Sequence, residues 1–208
     1  MKILLGIACL MVVSLTASAQ DYPKVEIFGG YSYLRTDSTT TDLTSTGIPG
    51  TAFQDSANLN GFSLSVTGNL HRRIGIAADF GGYFGTINNR FSSQTLSLAF
   101  PADTSNYSLL FGPQFSWRSK ESKNTFYLRP MMVGFVHGKQ TATVLGVTDS
   151  DTQNVFAASI GAGFDRKVAK KISIRILQAD ALLTRFDQGT GGRNQVNVRL
   201  STGIVFRP

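Results

Sequence analysis

The sequence predicts an all-β fold: an eight-stranded antiparallel up-and-down transmembrane β-barrel that follows a cleaved signal peptide. Apolar and polar residues alternate with a period of two in segment after segment, and no long segment has the 3.6-residue period of an amphipathic helix. The segments have about the length that a tilted strand needs to cross a bilayer, roughly 9–11 residues. Long and short connections alternate along the chain, as in barrels that cross membranes.

The start of the chain has the three regions of a secretory signal peptide. Met1-Lys2 is a short positive region, residues 3–15 are apolar, and Ala17-Ser18-Ala19 is a small-x-small cleavage site. We therefore predict a signal peptide at residues 1–19 and an outer-membrane barrel domain at residues 20–208.

Processing of this segment gives a first testable prediction. We expect the mature protein to begin at Gln20 and to fractionate with the outer membrane, because the cleavage site is followed directly by the alternating segments. N-terminal sequencing of the fractionated protein checks both points. Retention of Met1, or recovery of the protein in the soluble periplasm, would contradict the prediction.

Eight strands account for the alternating segments. They are Lys24–Leu34, Asn60–Leu70, Ile74–Gly85, Asn106–Trp117, Thr125–His137, Asn154–Asp165, Ile172–Arg185 and Gln195–Arg207. The long connections at residues 35–59, 86–105 and 138–153 are expected at one end of the barrel as external loops, the first of them mobile. The short turns at residues 71–73, 118–124 and 166–171 are expected at the other end.

The two faces of each predicted strand differ in composition. In the second strand Phe62, Leu64 and Val66 alternate with Ser63 and Ser65, and the other strands repeat this contrast. An interior of Ser, Gly, Ala and charged residues is not a hydrophobic core, so we expect the apolar face to contact lipid. A soluble sandwich or lipocalin-like barrel, the alternative, would bury its apolar side. The last strand is expected to pair with the first, because closure removes both sheet edges.

Charged residues of both signs are predicted to face the lumen. They are Glu26, Asp79, Arg129, Arg175, Asp180 and Arg199. The parity of Arg129 is ambiguous, and we place it inside because an arginine facing lipid near the midplane costs roughly 2–4 kcal/mol. A β-bulge near Leu177 would bring Arg175, Gln178 and Asp180 to the same face. Because eight strands leave a lumen that side chains fill, we expect one or two linked ion-pair clusters that block it.

Basic residues are also expected at both ends of the barrel. Candidates for contact with phosphate groups of outer-leaflet lipid or lipopolysaccharide are Arg35, Arg90, Lys139, Arg185 and Arg193. The short turns carry the basic stretches "HRR", "RSKESK" and "RKVAKK". These could meet anionic headgroups of the inner leaflet, but a plain solvated turn is the preferred interpretation.

The sequence offers little for catalysis or cofactor binding. The only cysteine, Cys9, lies in the signal segment, and the mature chain has two histidines, His71 and His137, neither beside a serine in a local motif. The net charge of +7 raises nucleic acid as a partner, but no zinc-ligand cluster, recognition helix or glycine-rich phosphate loop accompanies it. We therefore expect no catalytic residue, metal, cofactor or nucleic acid, and no enzymatic activity.

The signal segment, the eight strands and the closing "LSTGIVFRP" resemble the small eight-stranded barrels of the outer membrane protein A, outer membrane protein X and opacity type. The resemblance covers residues 20–208 and implies a location in the outer membrane of a Gram-negative bacterium. It also implies insertion by the barrel assembly machinery, which reads alternate apolar residues of the last strand, here Leu200, Ile204 and Phe206.

Two classes of function remain open at the level of sequence. The first is a structural or surface barrel with a plugged lumen that presents its external loops, with a role in adhesion or envelope integrity. The second is a small pore or a lipid-modifying outer-membrane enzyme. A pore would conduct ions across planar bilayers, and an enzyme would change lipid chemistry; the sequence names no partner for the loops.

Overall fold

The computed structural model describes residues 22–42, 51–93, 97–118, 122–144, 147–186 and 193–208, so the predicted signal peptide lies outside the described residues. The described residues form ten strands: β1 (Val25–Arg35), β2 (Thr39–Asp42), β3 (Thr51–Gln54), β4 (Asn58–Asn69), β5 (Ile74–Ser92), β6 (Ser97–Arg118), β7 (Asn124–Val144), β8 (Val147–Lys167), β9 (Ile172–Phe186) and β10 (Arg193–Phe206). Within the described ranges there is no helix long and apolar enough to cross a membrane.

Eight of these strands close into a ring. Their order is β5-β4-β1-β10-β9-β8-β7-β6, with β6 paired again to β5, and all the pairings are antiparallel. The first and last strands pair from Ile27 opposite Phe206 to Arg35 opposite Val198. The predicted eight-stranded antiparallel barrel, closed by its first and last strands, is confirmed.

The apolar side of the strands faces outward. Leu64, Ile160 and Ile204 are exposed in the isolated chain, whereas Ser63, Ser65 and Ser159 are buried in the lumen. In a bilayer the exposed apolar side chains contact lipid instead of water, which is the arrangement that a transmembrane barrel requires.

Two of the predicted external loops are wrong in extent, because the strands continue through most of them. β5 and β6 pair as far as Ser92 opposite Ser97, and β7 and β8 as far as Val144 opposite Val147. The sequence-based limits were drawn where the contrast between apolar and polar faces fades. That contrast ends where the hairpin leaves the lipid, but backbone pairing does not depend on it and continues into water.

The first long connection also contains regular structure. β2 pairs with β3, and β3 pairs with the outer part of β5, from Thr51 opposite Ser92 to Gln54 opposite Asn89. This short sheet lies beyond the point where β4 leaves β5, at Asn60 opposite Phe84. The described part of the connection is therefore attached to the β5–β6 hairpin.

Candidate functional site: a charged network in the lumen

Four of the predicted lumen residues form one ion-pair group near the middle of the barrel. Arg199 donates from Nη1 to Asp79 Oδ1 at 2.5 Å and from Nε to Asp180 Oδ2 at 2.9 Å. Arg129 donates from Nη1 to Asp79 Oδ2, also at 2.9 Å. All four side chains are buried. Both oxygens of Asp79 thus accept from an arginine, and Arg199 joins two carboxylates; we call these residues the central group.

The contacts of the central group run across the lumen. Asp79 lies on β5 and Arg199 on β10, and β4 and β1 separate these two strands in the ring. Arg129 reaches Asp79 from β7, on the other side of β6. It also donates to Gln114 Oε1 at 2.9 Å and Ser65 Oγ at 3.2 Å. With Asp180 on β9, side chains from six strands therefore meet in the centre of the barrel.

A second group lies at the end with the short turns. Glu26 accepts from Arg118 and Arg207, and Arg207 also donates to Asp165 Oδ2 at 2.9 Å. Asp165 Oδ1 accepts from Arg175 Nε at 2.9 Å. These five residues come from β1, from the ends of β6 and β8, from β9 and from the residue after β10; we call them the turn-side group.

Gln178 connects the two groups. Its Oε1 accepts from Arg175 Nη1 at 2.7 Å, and its Nε2 donates to Asp180 Oδ2 at 2.8 Å. Tyr127 donates to the same Oε1 at 2.7 Å. Charges of opposite sign thus alternate within each group, and one neutral amide with both donor and acceptor atoms joins the groups. Every charge of the two groups is therefore paired, as buried charges must be, although Asp180 Oδ1, Arg199 Nη2 and Arg118 Nε are buried without a hydrogen-bond partner among the described residues.

Two bulges bring the arginines to the lumen side. In β9 the register shifts so that Ile176 and Leu177 both face outward, while Arg175 and Gln178 face inward, which confirms the predicted bulge near Leu177. In β7 the register shifts at Pro130 and Met131. A proline lacks the N–H that a regular ladder needs, so a bulge is a favourable place for it.

The β7 bulge resolves the ambiguous parity of that strand. Arg129 faces the lumen with Tyr127, whereas Met131, of the same parity, is exposed. Met132 then faces inward, beyond the bulge. Sequence reasoning treated β7 as regular and so did not find this change of phase.

Glycine makes room for an aromatic ring beside the turn-side group. The Arg175 guanidinium carbon lies 4.2 Å from the ring centroid of Phe28 and 4.4 Å from that of Tyr127. A Cβ atom on Gly163 would lie 2.2 Å from both Cζ and Oη of Tyr127. The Tyr127 ring therefore occupies the space above Gly163, where it stacks on the guanidinium and reaches Gln178.

All six predicted lumen residues are buried in the structure, but they belong to two different ion-pair groups. Asp79, Arg129, Asp180 and Arg199 form the central group, while Glu26 and Arg175 belong to the turn-side group and are linked through other residues. Sequence reasoning placed Gln178 on the inward face but did not include it in the network, and it also left out Arg118, Asp165, Arg207 and Gln114. For Arg118, Asp165 and Arg207 the available signal was parity, because each continues the inward face of its strand at a position assigned to a strand end or turn.

The expectation that the lumen has no hydrophobic core is wrong for part of its length. A cluster of buried side chains, almost all apolar, fills another part of the interior. Its members are Leu34, Ala57, Leu59, Ala77, Tyr83, Ile87, Leu110, Met132, Val136, Val155, Ala157 and Leu182. Most lie next in the chain to exposed apolar side chains, as Leu110 lies beside Phe111 and Met132 beside Val133, so this cluster fills the lumen within the lipid-facing part of the barrel.

The predicted phosphate contacts occupy different places. Arg35 and Lys139 are exposed at the loop end of the barrel, and Arg35 donates to Asn58 Oδ1 at 2.9 Å. Arg90 lies six residues beyond Phe84 on β5 and forms an ion pair with Asp55 at 2.7 Å. The register places Arg185 opposite Phe156 and Arg193 opposite Phe186.

The two histidines make contacts of an ordinary kind. His137 is exposed, with Nδ1 2.7 Å from Asn154 Oδ1, and His71 Nδ1 accepts from the Arg73 backbone N–H at 3.4 Å. Among the described residues no group of three or more His, Cys, Asp or Glu side chains is placed to hold a metal ion.

Comparison with known proteins identifies the family. Residues 5–202 match the family model described as the outer membrane protein beta-barrel domain. OprG from Pseudomonas aeruginosa is similar in structure, with a TM-score of 0.58 and 12% identity over 88% of this chain and 95% of that chain. Neisserial surface protein A gives a TM-score of 0.52 and 12% identity over 89% and 97%. No curated protein sequence matches. The chain therefore belongs to the outer membrane protein beta-barrel family of the bacterial outer membrane.

Proposed function

We propose that this protein is a closed surface scaffold, whose lumen is plugged by its own side chains and whose function is carried by the hairpins it presents outside the cell. The observation that carries the proposal is the contact of Asp79 with Arg199 and Arg129 across the lumen. An ion passing through would have to separate these pairs, and a buried charge left without its partner costs about 3–5 kcal/mol.

The apolar cluster supports the same proposal. Leu59, Leu110 and Met132 are fully buried inside the barrel. A permeating ion would also meet these apolar side chains, which offer no polar groups to replace its hydration shell. Two barriers of different chemistry favour a scaffold over a pore.

A conductance measurement tests the scaffold. We expect the protein, refolded and inserted into planar lipid bilayers, to give no large and steady single-channel current, because the network and the apolar cluster fill the lumen. A variant with both arginines of the central group shortened, R129A/R199A, removes much of the plug and serves as the comparison. Steady large conductance from the wild-type protein would overturn the proposal and favour the small-pore alternative.

We further propose that Arg35 and Lys139 contact phosphate groups of lipopolysaccharide at the outer leaflet. Both are exposed at the end of the apolar belt, where Tyr31 and Tyr107 form part of the outward surface. Tyr33 and Arg35 share Asn58 as acceptor, at 2.6 Å and 2.9 Å, so the arginine is held at the rim. Guanidinium and ammonium groups form strong charge-assisted hydrogen bonds with phosphate.

The amount of lipopolysaccharide that copurifies with the barrel tests the proposed phosphate contacts. We expect neutralisation of all five predicted contacts, as R35Q/R90Q/K139Q/R185Q/R193Q, to lower the lipopolysaccharide content per barrel, and R35Q/K139Q to account for a large part of the decrease. R90Q alone is the matched control, because Arg90 is already paired with Asp55. Equal lipopolysaccharide content in the wild-type protein and the five-site variant would show that these charges are only solvated.

A further inference from the structure

The positive charge of this protein is concentrated at one end. The segments at the turn end, residues 21–26, 71–73, 118–124, 165–171 and 207–208, contain eleven basic and four acidic residues. The segments at the loop end, residues 35–58, 86–105, 137–154 and 185–195, contain five basic and seven acidic residues. The excess of positive charge thus faces the periplasm, the side on which the short turns of such barrels lie.

The two acids that the structure describes at the turn end do not neutralise this surface. Glu26 and Asp165 are buried, and they are already bound to Arg118, Arg175 and Arg207 in the turn-side group. The other two acids of these segments lie outside the described residues.

Five basic side chains at two neighbouring turns are left on the exterior. They are Lys123, Arg166, Lys167, Lys170 and Lys171, and all are exposed. The Lys167 backbone N–H donates to the Lys123 carbonyl at 2.7 Å, so the two turns are adjacent. Among the carboxylates that the structure describes, none forms an ion pair with any of the five. We call this set the turn patch.

The turn patch lies at the depth of lipid headgroups. Lys171 directly precedes Ile172, whose side chain is 41% exposed on the lipid-facing side. Arg166 follows Phe164 by two residues on the outward face of β8, a distance along the strand of about 7 Å. Val168, at the start of the turn, is 55% exposed and would enter the same interface.

We propose that the turn patch binds anionic phospholipids of the inner leaflet of the outer membrane through their phosphate groups. Exposed cations near an anionic bilayer surface attract its headgroups, and several on one small area act together. The adjoining apolar side chains favour a lipid over a soluble polyanion, because they keep the cations next to the bilayer. This surface is separate from the lumen and from the rim at the outer leaflet.

Spin-labelled lipids measure this preference directly. The full barrel is reconstituted in phosphatidylcholine bilayers with a trace of spin-labelled phosphatidylglycerol or phosphatidylcholine, and the motionally restricted fraction of each label is compared. We expect the wild-type protein to prefer phosphatidylglycerol by about threefold or more at low salt. The ratio of phosphatidylglycerol to phosphatidylcholine association is expected to fall close to one in the variant K123Q/R166Q/K167Q/K170Q/K171Q. For the wild-type protein the ratio is expected to decrease in high salt, which screens exposed charges.

A charge-keeping variant, K123R/R166K/K167R/K170R/K171R, is the matched control and should retain the preference. The difference in gel mobility between unheated and boiled samples shows that each variant is folded. Equal association of the two lipids with the wild-type protein would overturn the proposal, as would a preference that survives neutralisation. If the wild-type protein showed no lipid preference but sedimented with purified peptidoglycan sacculi, and the neutralised variant did not, the patch would instead bind the cell wall, and the proposal would be overturned.

Discussion

Replacement of Asp79 by alanine is expected to lower the free energy of unfolding by about 3–5 kcal/mol, because it leaves two buried arginines without their shared carboxylate. Arg129 has no other acid among its described partners, and Arg199 retains Asp180 as its one acid, with a long hydrogen bond to the Tyr83 hydroxyl. Unfolding by urea in detergent micelles, followed by the fluorescence of Trp117 and by gel mobility, measures the change.

The matched control is Asp149→Ala, which removes an exposed aspartate of the β7–β8 hairpin and is expected to change stability by less than about 0.5 kcal/mol. A double-mutant cycle with R199A isolates the coupling between Asp79 and Arg199 from other effects of each substitution. A loss of stability for D79A as small as that for D149A would mean that the central group is not held together as described.

Replacement of Gly163 by alanine is expected to destabilise the barrel by about 1–3 kcal/mol, although it adds a single methyl group. The new Cβ would lie 2.2 Å from Cζ and Oη of Tyr127, so the ring must move away from Arg175 and lose its hydrogen bond to Gln178. The same unfolding measurement applies.

Gly68 provides the matched control for this substitution. A Cβ on Gly68 of β4 has no atom of the protein within 4 Å outside its immediate chain neighbours, so G68A is expected to have little effect. The second test combines G163A with Y127A: once the ring is gone, the added methyl should cost much less than it does in the wild-type background. Equal costs in both backgrounds would exclude the tyrosine ring as the cause.

Much of the fold could be predicted from the sequence, because successive side chains of a strand point alternately to the lipid and to the lumen. Leu64 and Ser65 are neighbours in the chain and lie on opposite faces, as the alternation predicts. The bulge in β9 was also accessible, since Arg175 and Asp180 cannot both face inward without it. In β7 a conflict was also visible, because Arg129 shares its parity with the apolar Met131, but it was interpreted as ambiguous facing of a regular strand. Pairing with β6 and β8 shows that the shift lies at Pro130 and Met131.

The partners within the network were harder to predict than its members. Parity shows that Asp79 and Arg199 face the lumen, but their contact depends on the height of β5 relative to β10, with two strands between them. That relative height depends on the registers of all three strand pairs between β5 and β10. Arg207 illustrates the same limit, because its contacts with Glu26 and Asp165 require β1 and β8 to end level with the last strand.

The position of the last strand in the network has a consequence for the order of assembly. Until β10 is in place, Asp180 lacks its arginine, and Asp79, Glu26 and Asp165 each lack one of two. A sheet of seven strands would therefore hold an excess of negative charge that favours water and opposes burial. The final strand supplies Arg199 and Arg207 as the sheet closes, so the four carboxylates gain their full set of arginine partners only on closure, and we expect intermediates with a half-built lumen to be disfavoured.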